Sequence, residues 1–376
     1  MSRYPRLSSS RRAEQGFTLI ELMVGVLLGM ITVIVIGQVL VQSESQRRNV
    51  STGGDANVNG SLALYSIQRD VQMAGYGISN PAALGCTVKY KHGTDAASSF
   101  TLAPVIITRG VGGASDSIKI LQGNTPSTAV PMSITSDQTG RFQVTTTMGV
   151  RAGDQVVAVP QAWSPSDTTN WCLLYEVTNS AASADTTLSN DNLPHASTSD
   201  WNGAGLAPSG GYPSGSYLLN LGAPSVKTYS VSSSYNLQLT ERSASDGSTS
   251  TPQDLYPQIV NMQALYGWDN NGDGTVDEFK HASPTTTADW QKVVSIRLAI
   301  VARSSQFERE AVTTSEPQWD VGAEASFPDY TTTSCGTASK CITLTISNVG
   351  TGTDWQHYRY KVYTTTVPLR NILWNS

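Results

Sequence analysis

A nearly uncharged stretch close to the N-terminus constrains this chain more than any other feature. Residues 17–42 are apolar or neutral except for one acid, Glu21. As a helix they would extend about 39 Å, which exceeds the roughly 30 Å of a bilayer's hydrocarbon core. Positive charge before a first span keeps that end in the cytoplasm, and four arginines precede the stretch: Arg3, Arg6, Arg11 and Arg12. The sequence therefore predicts a single-pass membrane anchor followed by an exported C-terminal part.

Three simpler interpretations of this stretch explain less. A cleavable secretory signal needs small residues at its cleavage site, and residues 38–42 read Gln-Val-Leu-Val-Gln. A twin-arginine export signal would use Arg11 and Arg12, but Glu14 and the immediate start of the apolar stretch fit it badly. A plain anchor leaves Glu21 unexplained, because a carboxylate at mid-membrane costs about 2.5 to 3.5 kcal/mol. We therefore expect Glu21 to have a functional partner.

The segment Gly16-Phe17-Thr18-Leu19-Ile20-Glu21 resembles the processing site of type IV prepilins. The resemblance implies that a prepilin peptidase cuts between Gly16 and Phe17 and methylates the new amino terminus of Phe17. It also implies that Glu21 neutralises a terminal ammonium in the growing filament, its own or a neighbour's. The implied organisation is a leader peptide at 1–16, a transmembrane and filament-core half of the helix at 17–42, an amphipathic half at 43–78, and an exported β-rich globular domain at 79–376.

The amphipathic half of the helix shows recurring apolar residues. We expect one apolar stripe, formed by Leu62, Leu64, Ile67, Val71 and Met73. Glycines at 53, 54 and 60 predict a bend or a melted turn within the helix. Two further glycines, at 75 and 77, predict the C-terminal end of the helix near this point.

Beyond residue 85 apolar and polar residues alternate, as in strands with one buried face. The fold class predicted is α+β, with a long pilin-like N-terminal helix packed on an antiparallel β-sheet and enlarged β-rich insertions. Two polar segments, 178–215 and 232–251, are predicted to be surface loops. The predicted strands are 117–120, 154–159, 226–231, 236–239, 260–266, 294–301 and 358–367.

All four cysteines lie on the predicted exported side, where disulfides persist. Four cysteines allow three pairings. Cys335 and Cys341 flank a short loop and form the natural local pair, which leaves Cys86 with Cys172. Zinc is disfavoured because the histidines are scattered and none adds a ligand at the required spacing; they are His92, His195, His281 and His357.

A calcium loop is one interpretation of residues 269–278. Oxygen-bearing residues alternate there as in an EF-hand-type loop: Asp269, Asn271, Asp273 and Asp277 would offer side chains, and Thr275 its carbonyl. Lys280 stands where that loop has its bidentate glutamate, and Glu278 comes two residues early. The other interpretation is an acidic turn between two strands, since Asn-Gly and Asp-Gly are ordinary turn dipeptides. The sequence leaves Ca²⁺ as a candidate cofactor.

Four short segments narrow the resemblance to PilW-type minor pilins: 68–76, 263–269, 290–297 and 365–371. Such proteins are low-abundance subunits that prime type IV pilus assembly and sit at the filament tip. The implied partners are other minor pilins, the major pilin, a tip adhesin, the prepilin peptidase and the inner-membrane assembly platform. The implied location is the inner membrane with a periplasmic C-terminal domain, and then the extracellular pilus, where the protein would support twitching motility and adhesion. Residues 160–250 resemble no family known to us.

Other functional classes find less support in the sequence. With a net charge of −5 and no basic run outside the leader, binding to nucleic acid has no electrostatic basis. A nucleophile elbow, a phosphate-binding loop and paired metal-binding histidines are all lacking, so we expect no enzyme. Two alternatives remain: a minor pseudopilin of a type II secretion system, and a calcium-dependent adhesive receptor with a borrowed membrane anchor.

Overall fold

The computed structural model describes residues 16, 18–125, 130–165, 167–203, 205–322, 325–326, 333–336 and 339–373. It contains three α-helices: α1 (Leu19–Met73), α2 (Thr287–Gln291) and α3 (Arg370–Leu373). The strands of the described residues are β1 (Thr87–Tyr90), β2 (Ser98–Thr101), β3 (Val105–Thr108), β4 (Ser117–Gln122), β5 (Met132–Gln138), β6 (Arg141–Val144), β7 (Gln155–Val159), β8 (Cys172–Glu176), β9 (Asn192–Pro194), β10 (Tyr217–Gly222), β11 (Ser225–Val231), β12 (Asn236–Arg242), β13 (Gln253–Pro257), β14 (Ile259–Trp268), β15 (Glu278–Lys280), β16 (Val293–Arg303), β17 (Gln318–Gly322), β18 (Ala325–Ser326), β19 (Thr333–Ser334), β20 (Lys340–Thr343) and β21 (Tyr360–Pro368).

The chain forms two units, residues 1–53 and 54–376, and helix α1 contributes to both. In the first unit, Leu19–Glu44 is long and apolar enough to cross a membrane, with a mean hydropathy of 2.7. None of this segment is buried by the chain itself. It therefore presents an apolar surface on every side, as a membrane span or a filament core requires.

In the second unit, α1 buries a narrow stripe of small and branched residues: Ala63, Ile67, Val71 and Ala74. These positions follow the i, i+4, i+8, i+11 spacing of one helix face. Leu62 and Met73, which the sequence places in the stripe, lie beside it and are 44% and 46% exposed. The predicted end of the helix is confirmed, since α1 stops at Met73 and Gly75 follows with φ +76°.

The expected melted turn in α1 does not form, because helical structure continues through the glycines at 53, 54 and 60. Gly60 has a packing role instead. A Cβ atom at this position would collide with the ring of Tyr363 and press on Ala302. A glycine thus lets the helix approach β16 and β21, and its cost in helix propensity is offset by this contact.

Four sheets cover the described part of the second unit. The largest has eight strands in the order β2-β1-β8-β7-β10-β5-β6-β9, and β1 pairs with β8 in parallel. A five-stranded antiparallel sheet has the order β13-β12-β11-β4-β3, and a second five-stranded sheet has the order β18-β15-β14-β16-β21. A small sheet has the order β17-β20-β19. Every strand predicted from the sequence forms, and the α+β class with an N-terminal helix and large antiparallel sheets is confirmed.

The two longest strands differ from the expectation of one buried face. All ten residues of β14 are buried, and nearly all of β16. Met262 and Ala264 join the main core that includes α1, whereas Leu265 points to the other face and packs with β17 and β20. Val260 also joins that second core, because the register shifts between Ile259 and Asn261. Both faces of this pair are therefore covered, which explains the near-continuous hydrophobic run in β16.

The prediction that residues 178–215 form a surface loop is wrong. This segment contains β9, which pairs with β6, and it buries three large side chains: Leu193, Trp201 and Tyr212. Tyr212 donates from its hydroxyl to the carbonyl oxygen of Trp171 at 3.1 Å. A few apolar anchors thus hold a segment whose polar composition suggests a loop.

Two disulfides are present, Cys86–Cys172 and Cys335–Cys341, the same pairs as predicted. The first joins the residue before β1 to the start of β8. It therefore ties the chain shortly after α1 to the eight-stranded sheet. The second closes a short loop at β20.

Candidate functional site

The first turn of α1 carries a reciprocal cap around Glu21. The Thr18 backbone N–H and hydroxyl donate to Glu21 Oε2 at 3.1 and 3.0 Å. In return, the Glu21 backbone N–H donates to Thr18 Oγ1 at 3.3 Å. This is a capping box, which satisfies donors that the start of a helix leaves unpaired. It also places the carboxylate at the positive end of the helix dipole.

The cap gives Glu21 a partner within its own chain. Both bonds to the carboxylate use Oε2, and Oε1 meets no donor among the described residues. One oxygen thus remains for an external donor such as a terminal ammonium. Gly16 is exposed, and a Cβ built on it meets nothing within 4 Å. Phe17 and the leader at 1–15 lie outside the described residues, so cleavage after Gly16 and methylation of Phe17 stay predictions.

The buried carboxylate of Asp70 binds the second half of α1 to the five-stranded sheet that contains β11. Both carboxylate oxygens of Asp70 accept from Lys227 Nζ, at 3.1 and 3.0 Å. The hydroxyl of Tyr229 donates to Asp70 Oδ2 at 2.7 Å. The Asp70 side chain is 8% exposed and that of Lys227 is 24% exposed. Burial raises the pKa of Tyr229, and the bond to Asp70 raises it further, so the phenol keeps its proton and donates.

Two further polar contacts hold α1 nearby. Asn57 Oδ1 accepts from Lys361 Nζ at 2.8 Å and from the Tyr363 hydroxyl at 2.7 Å, both on β21. The hydroxyls of Ser66 and Tyr256 share a hydrogen bond of 2.9 Å. The helix is therefore fixed to two sheets by polar bonds as well as by its apolar stripe.

The candidate calcium loop lies between β14 and β15. Asp269 is nearly buried, and its oxygens accept from the backbone N–H groups of Gly272 and Gly274 at 2.6 and 2.7 Å. Asp273 Oδ1 accepts from the Thr275 N–H at 2.8 Å. The Asp277 carboxylate accepts from the Asn270 N–H at 2.8 Å. These bonds build a tight acidic turn.

One of the proposed metal ligands has a cationic partner of its own. Glu278 pairs with Lys280, whose Nζ lies 3.1 Å from Glu278 Oε2 and 3.8 Å from the ring centre of Trp268. Within the described residues, no three His, Cys, Asp or Glu side chains are grouped to hold a metal. Calcium binding by Asp269, Asn271, Asp273, Thr275, Asp277 and Glu278 stays a prediction.

Two family models match the chain. Residues 11–37 match the prokaryotic N-terminal methylation motif, and residues 228–371 match the type IV pilus-assembly protein W. These two matches support a type IV pilus minor pilin of PilW type. Comparison with curated proteins and with solved structures gave no match. The protein is thus a membrane-anchored pilin with a role in type IV pilus assembly.

The pilus-assembly match covers much of the part of the chain that holds α1, although Lys227 lies just before it. It contains β12 to β21 and most of β11, including Tyr229, Lys361 and Tyr363. The eight-stranded sheet, built from residues 87–222, lies outside both matches. The family model therefore does not cover this sheet.

Two residues of this site were missed by the sequence reasoning. Thr18 could have been found, because Ser or Thr followed three residues later by Glu is the sequence pattern of a capping box. The partners of Asp70 could not, because Lys227 and Tyr229 are more than 150 positions away along the chain. The charge of Asp70 inside an otherwise apolar stripe was the available signal.

Proposed function

We propose that this minor pilin primes type IV pilus assembly and sits at or near the pilus tip, in a complex with other minor pilins and a tip adhesin. In this role it supports twitching motility and adhesion, and its contribution is architectural. The observation that carries the proposal is the apolar segment Leu19–Glu44, which the chain leaves wholly uncovered. Such a surface needs a membrane before assembly and neighbouring helices after it.

The acid at the start of this segment supports assembly by helix stacking. Glu21 is already capped by Thr18 through Oε2. After cleavage between Gly16 and Phe17, the N-methylated amine of Phe17 would lie within one helical turn of the carboxylate, in the same chain or in a neighbour. An ammonium bound at the second oxygen would neutralise the charge as the helix enters the filament.

The position at the tip rests on the size of the globular part. The eight-stranded sheet enlarges one subunit beyond the region that the family model describes. A subunit with so much material beside its helix is hard to repeat along a tightly packed filament. It is better placed at an end, where one side meets no further pilin.

The decisive experiment compares three variants in a piliated host. Glu21→Val should be processed and inserted but absent from sheared pili, with loss of twitching. Thr18→Val removes the cap and keeps the charge, so it should still assemble. Gly16→Leu should block processing, which mass spectrometry of the N-terminus reports as a retained leader. Normal incorporation of Glu21→Val into pili would overturn the proposal.

Deletion of the gene separates pilus assembly from secretion. Loss of surface pili and twitching is the expected result. Loss of exported enzymes with normal twitching would instead assign the protein to a type II secretion system as a minor pseudopilin.

A further inference from the structure

A pocket of about 180 Å³ lies between the β1–β2 hairpin and one face of the sheet that contains β11 and β12. Tyr90 and Phe100 contribute to its wall from the hairpin. Arg242, at the end of β12, contributes from the sheet. The pocket thus lies where the eight-stranded sheet meets the region that matches the pilus-assembly family.

Arg242 is a buried cation without a polar partner. The residue is 8% exposed, and neither Nη1 nor Nη2 has a hydrogen-bond partner among the described residues. Its Cζ atom lies 4.9 Å from the ring centre of Tyr90, 5.6 Å from Phe100 and 6.0 Å from Trp201. These rings offset part of the cost of burial, but they accept no hydrogen bond of the strength that a guanidinium makes with an oxyanion.

The strand register sets a polar row beside this arginine. Thr240, Thr228 and Lys119 stand directly opposite one another on β12, β11 and β4. All three line the pocket, and none of its described lining residues is acidic. The pocket therefore offers two cations and several hydroxyl groups without an internal carboxylate to neutralise them.

The size and the charge of the pocket define its ligand. An engineered cavity of about 150 Å³ is known to hold benzene, so this pocket admits about one six-membered ring. Nη1 and Nη2 of Arg242 are buried, so the guanidinium must turn into the pocket to offer its fork to the two oxygens of a carboxylate. The hydroxyl row suits a hydroxylated ring, and the aromatic walls suit the apolar face of that ring. We propose that the pocket binds a carboxylate-bearing ligand the size of a monosaccharide, such as a uronic acid, with Arg242 as its anion-binding residue.

This inference does not depend on pilus assembly, because it concerns a small ligand and the exported part of the chain. Two alternatives compete with it. Arg242 can serve packing only, as a cation stacked on three rings. Alternatively, the pocket can take a phosphate, although two cations without a helix N-terminus or a backbone nest suit a single negative charge better.

The test is isothermal titration and thermal denaturation of the full chain in detergent micelles, with glucuronate as the probe. Glucuronate should bind and raise the melting temperature in a saturable way, whereas glucose, which lacks the carboxylate, should not. Arg242→Met should weaken binding by at least about 30-fold, because it removes one partner of a buried charge pair. Lys119→Met should weaken it less, and it provides a second variant if Arg242→Met fails to fold.

Arg303→Met is the matched control. Arg303 also stacks on two rings, at 4.5 Å from Tyr235 and 4.4 Å from Tyr358, but its Nε donates to Gln258 at 2.7 Å and it lies outside the pocket. Its substitution should leave glucuronate binding unchanged. Three results would overturn the proposal: no binding of glucuronate, equal binding of glucose, or binding of inorganic phosphate tighter than that of glucuronate.

Discussion

Substitution of Asp70 tests how α1 is held on its sheet. Asp70→Ala removes the acceptor of three hydrogen bonds and leaves the ammonium of Lys227 and the hydroxyl of Tyr229 without it. Breaking a buried ion pair by removing one partner costs about 3 to 5 kcal/mol. The Lys227 side chain is 24% exposed, so water can reach its ammonium. We therefore expect Asp70→Ala to lower the free energy of unfolding by about 3 kcal/mol, the lower end of this range.

The assay is thermal denaturation of the full chain in detergent micelles, followed by tryptophan fluorescence and circular dichroism. At about 2.1 cal/mol/K per residue, the unfolding entropy of residues 54–376 is about 0.7 kcal/mol/K. A loss of 3 kcal/mol therefore lowers the melting temperature by about 4 °C. The double variant Asp70→Ala with Lys227→Met should recover part of the lost stability, because it also removes the ammonium that Asp70→Ala leaves without its partner.

Glu308 provides a matched exposed pair. It accepts two bonds from Arg359, at 2.6 and 3.0 Å, but the Arg359 side chain is 53% exposed. Glu308→Ala should cost less than about 1 kcal/mol, as exposed ion pairs do. If Asp70→Ala lowers the free energy of unfolding by no more than Glu308→Ala does, burial does not strengthen the Asp70 contact and the reasoning is refuted.

Three further predictions concern the second unit, residues 54–376. Replacing Cys86 and Cys172 by alanine should lower the free energy of unfolding by about 4 to 5 kcal/mol, as the chain-entropy account of disulfides predicts for this long loop. The same replacement of Cys335 and Cys341, which close a short loop, should lower it by about 2 kcal/mol. Urea denaturation measures both changes. Burial lowers the pKa of His195 to about 4, so between pH 6.5 and 4 this histidine binds a proton more readily in the unfolded chain than in the folded one. The free energy of unfolding should therefore fall by about 2 to 3 kcal/mol as the pH is lowered from 6.5 to 4. A His195→Leu variant should lack this part of the pH dependence. Calcium titration of the full chain should release or take up heat that Asp273→Ala abolishes, and a titration without heat would leave residues 269–278 as an acidic turn.

The sequence predicted those features whose signals lie within a few residues of each other. The apolar segment with Glu21, the end of α1 before Gly75 and the alternating strands are all of this kind. The disulfide pairs followed from one short loop and a process of elimination. In each case neighbouring residues carry the information, so no knowledge of the fold was needed.

The errors have a common physical cause, which is contact between distant parts of the chain. Gly60 was read as a helix breaker, but the ring of Tyr363 makes it a close-packing position. The segment 178–215 was read as a loop because its polar residues outnumber three buried anchors. Arg242 gave no signal at all, since its burial depends on a hairpin more than 140 residues earlier in the chain.

The eight-stranded sheet is built into the body of the protein and is not a separate domain on a linker. Its residues Val157, Leu174 and Leu219 belong to the same core as Ile67 of α1 and Ile296 of the family-matched region. The Cys86–Cys172 disulfide reinforces this connection shortly after the helix ends. A close-packed core deforms little under load, so force on the second half of α1 would pass to the rest of the second unit through Asp70 and this core. The eight-stranded sheet is thus attached rigidly to the second half of α1.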